Sequence, residues 1–247
     1  MIKKLLYATA ILLCISGTAG AQFSDYLNKA ENAISGKKKG KKGGALTEAD
    51  ISAGLRQALQ VGAKNATQKV SAPNGFFGNA LIKVLMPPEA QKVENTLREI
   101  GLGGQVDQAI LSMNRAAEDA SGKALQIFID AITSMSIQDA VSILKGGNDA
   151  ATQYLKQKTT ASLTAAFRPV IQASLDKVNA TKYWKTVFTT YNELPTTFKK
   201  VNPDLTGYVT ERALNGVFVY IADEEGKIRM DPAAQVTDLL KKVFGQH

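Results

Sequence analysis

Between Thr47 and Phe244, apolar residues recur at helical spacing in almost every segment, and the segments are separated by glycine, proline and capping residues. Ile51, Leu55, Leu59, Ala66 and Val70 share one helix face. Val106, Ile110, Met113 and Ala117 share another, and Leu125, Phe128, Ile129 and Ile132 a third. No stretch has the two-residue alternation or the β-branched density of a sheet, and no internal repeat is visible. The pattern predicts an all-α, single-domain multi-helix bundle over residues 46–245. One short extended segment is expected near residues 81–85, where Leu81, Ile82, Val84 and Leu85 precede Pro87.

The corner Lys145-Gly146-Gly147-Asn148-Asp149 organises this bundle. It closes one short apolar helix and opens the longest helical run, with short helices expected before it and longer ones after. Gly146 or Gly147 is expected to take the left-handed conformation that ends a helix without a Cβ penalty. Asn148 or Asp149 is expected to cap the next helix by accepting a backbone N–H bond. Read as chemistry, the same glycines form an anion nest at a helix N-terminus. Asp149 would already fill that position, so the structural reading is preferred.

Other punctuation is local. Thr47 reads as a cap, with Asp50 as its reciprocal acid, and Ser136 caps a helix containing Ala140 and Leu144. Pro169 lies inside the long run after Ala150, so a kink or break is expected near Phe167 and Arg168. Residues 181–191 carry Tyr183, Trp184, Val187 and Phe188. Asp204 caps a run from Leu205 to Ile228 that is apolar on most sides, which marks it as the central buried helix.

The 247-residue chain opens with Lys3 and Lys4, then an apolar stretch too short to span a membrane, then Ala19-Gly20-Ala21. Residues 1–21 therefore read as a signal peptide that leaves Gln22 first. Cys14 is the only cysteine and lies within it, so no disulfide or thiol chemistry is expected of the mature chain. Residues 22–35 read as a short amphipathic helix, and residues 36–45 as a basic Gly/Lys linker. Of the formal net charge of +8, Lys3 and Lys4 supply two and Lys37, Lys38, Lys39, Lys41 and Lys42 supply five, which leaves the folded body near neutral. The basic pI thus gives no argument for a nucleic-acid groove, and no aromatics interleave with the lysines to stack bases. The run reads as a solvated spacer, or as a tether to an anionic envelope polymer or lipid surface.

Several segments carry a resemblance: LTEADI at residues 46–51, LSMNRAAED at 111–119, GGNDAATQY at 146–154 and DLLKKVFG at 238–245. In this order they resemble the bacterial envelope family called domain of unknown function 4197. PAAQVT at residues 232–237 departs from the arginine and paired threonines usual in that family. The resemblance implies an exported, helical, single-domain bacterial protein located in the periplasm or cell envelope. It implies no activity, because the family has none assigned.

The sole histidine is His247, so His-based triads, Cys nucleophiles and the usual zinc sites are excluded from the body, and no Walker loop or G-x-S-x-G elbow is present. No cofactor, metal or transmembrane helix is expected of the mature chain. Asp223 and Glu225 diverge around a helix and make no carboxylate dyad. Glu224 falls in line with Ala213, Val217 and Tyr220, and Arg168 with Ala161, Ile171 and Leu175. Both charges are thus expected to face the core, either as two separate ion pairs or as one polar pocket. Arg115 lies away from its helix's apolar face, beside Glu118.

Three functions follow. The first is a non-enzymatic helical binding or interaction module with a basic tether and an unknown envelope partner. The second is a hydrolase using carboxylates or a Ser–Lys pair, and the third is a carrier of a small apolar ligand. A closed core favours the first, a cleft with convergent acids the second, and an apolar cavity the third.

Overall fold

A computed structural model describes residues 47–193 and 200–230, apart from the side chains of Val187 and Thr190. Eight α-helices form among the described residues: α1 (Glu48–Ser71), α2 (Gln91–Glu99), α3 (Gly103–Ser121), α4 (Ala124–Thr133), α5 (Ile137–Lys145), α6 (Ala150–Asp176), α7 (Ala180–Glu193) and α8 (Leu205–Met230). There is no strand among them, so the fold is all-α as the periodicity predicts. No single described helix is long and apolar enough to cross a membrane.

The helix starts follow from short-range chemistry. Thr47 accepts the Asp50 N–H while the Asp50 carboxylate accepts the Thr47 N–H, and Ser136 and Asp139 do the same for α5. The Ser136 bonds hold the Asp139 carboxyl below the usual carboxylate range. Asp204 Oδ1 accepts the Gly207 N–H at 2.9 Å and caps α8.

Helix α8 is the axis of the bundle and packs against α1, α3, α6 and α7. Its buried residues lie on several sides, including Val209, Ala213, Val217, Phe218, Ile221 and Ile228. Helices α1 and α6 both run antiparallel to it. Gly62 meets Ile228 while Lys69 lies over Tyr220, and Gln172 pairs with Thr206 while Thr152 pairs with Glu225. Gly216 makes room for the Phe76 ring, which is fully buried against it.

Three expectations change. Helix α1 has 24 residues, nearly the 27 of α6, so the helices before the corner are not all short. Of the kink or break expected at Pro169, the break does not occur, since α6 is continuous from Ala150 to Asp176. The segment before Pro87 forms turns and then irregular chain, without a strand. Its buried backbone is satisfied by a side chain instead: Asn114 accepts the Val84 N–H at 2.9 Å and donates to the Val84 carbonyl at 2.8 Å. Four residues along α3, Glu118 accepts the N–H groups of Phe76 and Phe77, each at 3.1 Å. Arg115 joins Glu118 to the Asn74 side chain. The LSMNRAAED stretch is therefore the clamp that holds residues 74–84 against the bundle.

Candidate functional site

Helices α2 and α3 form an antiparallel hairpin turned at Gly101. This glycine has φ +83°, and the Leu102 N–H reaches back to the Leu97 carbonyl, which is a left-handed helix stop. Arg98 fastens the hairpin, bonding Glu94 on its own helix and Asp107 on α3 at 2.9 Å. The hairpin stands away from α7, and a groove of about 810 Å³ opens between them.

The floor of the groove is the α3 row Val106, Ala109 and Met113. Val93 and Leu97 of α2 form one wall, and Tyr183, Trp184 and Phe188 of α7 the other. The Trp184 and Phe188 ring centroids are 4.4 Å apart with the planes tilted by 50°. Trp184 Nε1–H donates to the Asn202 carbonyl at 3.1 Å, and Asn192 bonds both backbone groups of Val201, so α7 is tied to the approach to α8. Gln105, Gln108 and Ser112 are the polar side chains along the floor's edge, and no charged side chain lines the groove among the described residues. Its size and apolar lining match those of small-molecule sites, typically about 300–1,000 Å³ with a few placed polar groups.

The corner at residues 145–149 is differently built from its expectation. Gly146 is extended, with φ −77° and ψ 179°, and neither Gly146 nor Gly147 has positive φ. Gly146 is required for close approach: a Cβ there would lie 2.7 Å from the Ala150 methyl. Neither Asn148 nor Asp149 caps α6, and Asp149 instead accepts from the Gln153 side chain. The cap comes from α8. Glu225, 4 % exposed, accepts the Ala151 N–H at 3.0 Å and the Thr152 N–H at 2.8 Å, and its second partner, Arg229, lies 2.9 Å away. This helix N-terminus does bind an anion, and the anion is the protein's own side chain.

Glu224 and Arg168 do not come together. Glu224 is buried and paired with Lys69 at 2.8 Å, Lys227 at 2.9 Å and Asn65 at 2.9 Å. Burial pushes its carboxyl up, but these three partners outweigh that and hold it below the usual range. Asp223 and then Glu224 raise the Lys227 ammonium above its ordinary value. Arg168 does not face the core: its side chain is half exposed and pairs with Asp204 at 2.8 Å, twenty residues and about 30 Å of helix away from Glu224. The buried row of α6 advances four residues at a time through Leu163, Phe167, Ile171 and Leu175, which leaves Arg168 one position off it. Ala161, one of the residues expected on the inner face, is exposed.

Lys37, Lys38, Lys39, Lys41 and Lys42 lie outside the described residues. Among the described residues, no three His, Cys, Asp or Glu side chains gather to hold a metal ion. Sequence reasoning missed Glu225, Asn114 and the groove. Arg229, one helical turn after Glu225, was the available signal for the first.

No curated protein and no solved structure matches the chain. A family model described as protein of unknown function (DUF4197) matches residues 45–245, and the chain belongs to that family.

Proposed function

We propose that the protein is an exported, non-enzymatic binding module that holds a small apolar ligand in the groove between the α2–α3 hairpin and α7. The leader at residues 1–21 supports export to the periplasm or cell envelope, and the lysine run at residues 37–42 supplies a tether to anionic envelope material. The groove carries this reading: about 810 Å³, an aromatic wall held in place by Asn202, and no charged lining side chain among the described residues. A carboxylate or Ser–Lys hydrolase finds less support here. Ser112 donates its hydroxyl proton to the Gln108 carbonyl, and among the described residues no lysine or acid stands beside it in the lining.

Trp184 is the only tryptophan in the chain, so the groove contains its own reporter. Titration with N-phenyl-1-naphthylamine should quench Trp184 by energy transfer and saturate at one site. Ala109→Phe, which fills the floor, should abolish that transfer without lowering the melting temperature by more than a few degrees. Equal quenching in both proteins would reject the groove as the site.

A further inference from the structure

We propose that Asn74 is a site of covalent modification in the folded protein: its side-chain amide is lost as ammonia and the residue becomes aspartate or isoaspartate. The chain contains two Asn-Gly pairs, Asn74-Gly75 and Asn215-Gly216, and both asparagines are exposed. Asn-Gly is the dipeptide most open to this chemistry, because a glycine without Cβ leaves the attacking nitrogen uncrowded. The two pairs read alike in sequence, and the fold separates them.

Both glycines are there for close approach. A Cβ at Gly75 would lie 2.4 Å from the Lys69 carbonyl oxygen and 2.6 Å from that of Val70, and one at Gly216 would lie 2.4 Å from Phe76 Cε1. Asn74 itself has φ +65°, a left-handed conformation that asparagine tolerates better than most residues. The turn after α1 thus asks for an asparagine followed by a glycine, so the labile pair is a consequence of the fold.

In the reaction the Gly75 nitrogen gives its proton to hydroxide and bonds to Cγ of Asn74. The Cγ–Nδ2 bond breaks, and ammonia leaves with a proton from water. Water then opens the succinimide ring. Opening at Cγ gives aspartate, and opening at the main-chain carbonyl gives isoaspartate, which adds a methylene to the main chain. One water enters and one ammonia leaves, so no other reactant is needed.

The two sites differ in what must open first. The Gly75 N–H has to leave the Ala72 carbonyl, which it meets at 2.8 Å. Around it, Arg115 bonds Asn74 Oδ1 at 2.8 Å, and Glu118 holds the Phe76 and Phe77 N–H groups. These are few contacts at an exposed turn, and such segments open locally at less cost than the whole fold. Asn215 lies inside α8, where the Gly216 N–H belongs to the helix's own bonds and Gly216 is buried. Freeing that nitrogen means opening the axis of the bundle. Asn74 therefore reacts from a locally opened turn, and Asn215 only on global unfolding.

The folded protein would be kept at pH 8 for several weeks, and the two peptides followed by mass after digestion. Asn74 should convert at least about tenfold faster than Asn215. In concentrated urea the two rates should agree within about threefold, since both pairs then lie in open chain. Glu118→Gln keeps the shape but weakens the hold on Phe76 and Phe77, so it should speed Asn74 at least about threefold and leave Asn215 unchanged. Asn74→Gly accepts the same φ and should remove the fast release of ammonia. Equal rates at the two sites in the folded protein, or no conversion at Asn74 while urea converts both, would overturn the proposal. So would Glu118→Gln leaving Asn74 unchanged, or speeding both sites alike, because the reaction would then not run through local opening of this turn.

Discussion

Glu225 holds Thr152 twice, through its N–H at 2.8 Å and its hydroxyl at 2.7 Å, although 73 residues separate them in the chain. One buried carboxylate therefore caps α6, fixes the start of that helix against α8 and neutralises Arg229.

Glu225→Ala should be among the most damaging single substitutions in the bundle. It leaves two helix N–H groups uncapped and a mostly buried Arg229 without its carboxylate, at a cost of about 3–5 kcal/mol. Asp149→Ala, at the position that the sequence suggests as the cap, should stay within about 0.5 kcal/mol of wild type, because that side chain makes no cap bond. Urea unfolding of the two variants side by side separates the tertiary cap from the local one.

The fold was legible where its causes are local. Thr47, Ser136 and Asp204 each recruit a backbone N–H three residues on, so their roles can be read from a few neighbouring letters. Glu225 is different: its partner lies on another helix, and within its own helix it looks like one more acid in Asp223-Glu224-Glu225. Arg168 was misplaced because it lies three and seven residues before Ile171 and Leu175, which are on the inner row, while Phe167, one position earlier and four before Ile171, is the residue that occupies that row. The groove is a gap bounded by α2, α3 and α7. A gap has no letters of its own, even though Tyr183, Trp184 and Phe188 already formed a recognisable stripe.

Asn114 provides a second test of a side chain acting as backbone partner. It is fully buried and bonds Val84 through both backbone groups, and the Ile110 carbonyl as well. Asn114→Leu keeps the bulk but orphans the Val84 N–H and C=O, so it should cost about 2–4 kcal/mol. In native-state hydrogen exchange the Val84 amide should be strongly protected in the wild type and lose that protection selectively in the variant. Unchanged exchange at Val84 would show that the contact is not what holds the segment.

The Glu224 cluster gives a pH dependence with a definite sign. Its folded carboxyl lies below the ordinary value of 4.5, so the folded state binds this proton less readily than the unfolded chain does. The stabilisation is therefore fully present above that ordinary value and is lost as pH falls through the lower folded one. Glu224→Gln should be less stable than wild type by about 1–3 kcal/mol at pH 7, and the two should converge in acid. Urea midpoints measured from pH 7 down to pH 3 provide the check. A constant gap across the series would mean that shape, and not charge, explains the loss.

The tether makes the last prediction, and it rests on where the charge lies. Lys37, Lys38, Lys39, Lys41 and Lys42 account for most of the excess positive charge outside residues 1–21, within a run interrupted only by Gly40. If they attach the protein to anionic envelope material, binding must be electrostatic. Exposed charges more than about 10 Å apart are largely screened at 0.1 M ionic strength, so attachment should weaken steeply as salt rises. Replacing all five with serine should abolish co-sedimentation with anionic vesicles and cell-wall material while leaving the melting temperature nearly unchanged. It should also leave naphthylamine binding at Trp184 intact, because that binding is attributed to the apolar lining residues of α2, α3 and α7. Equal sedimentation of wild type and serine variant across the salt series would reduce the run to a solvated spacer.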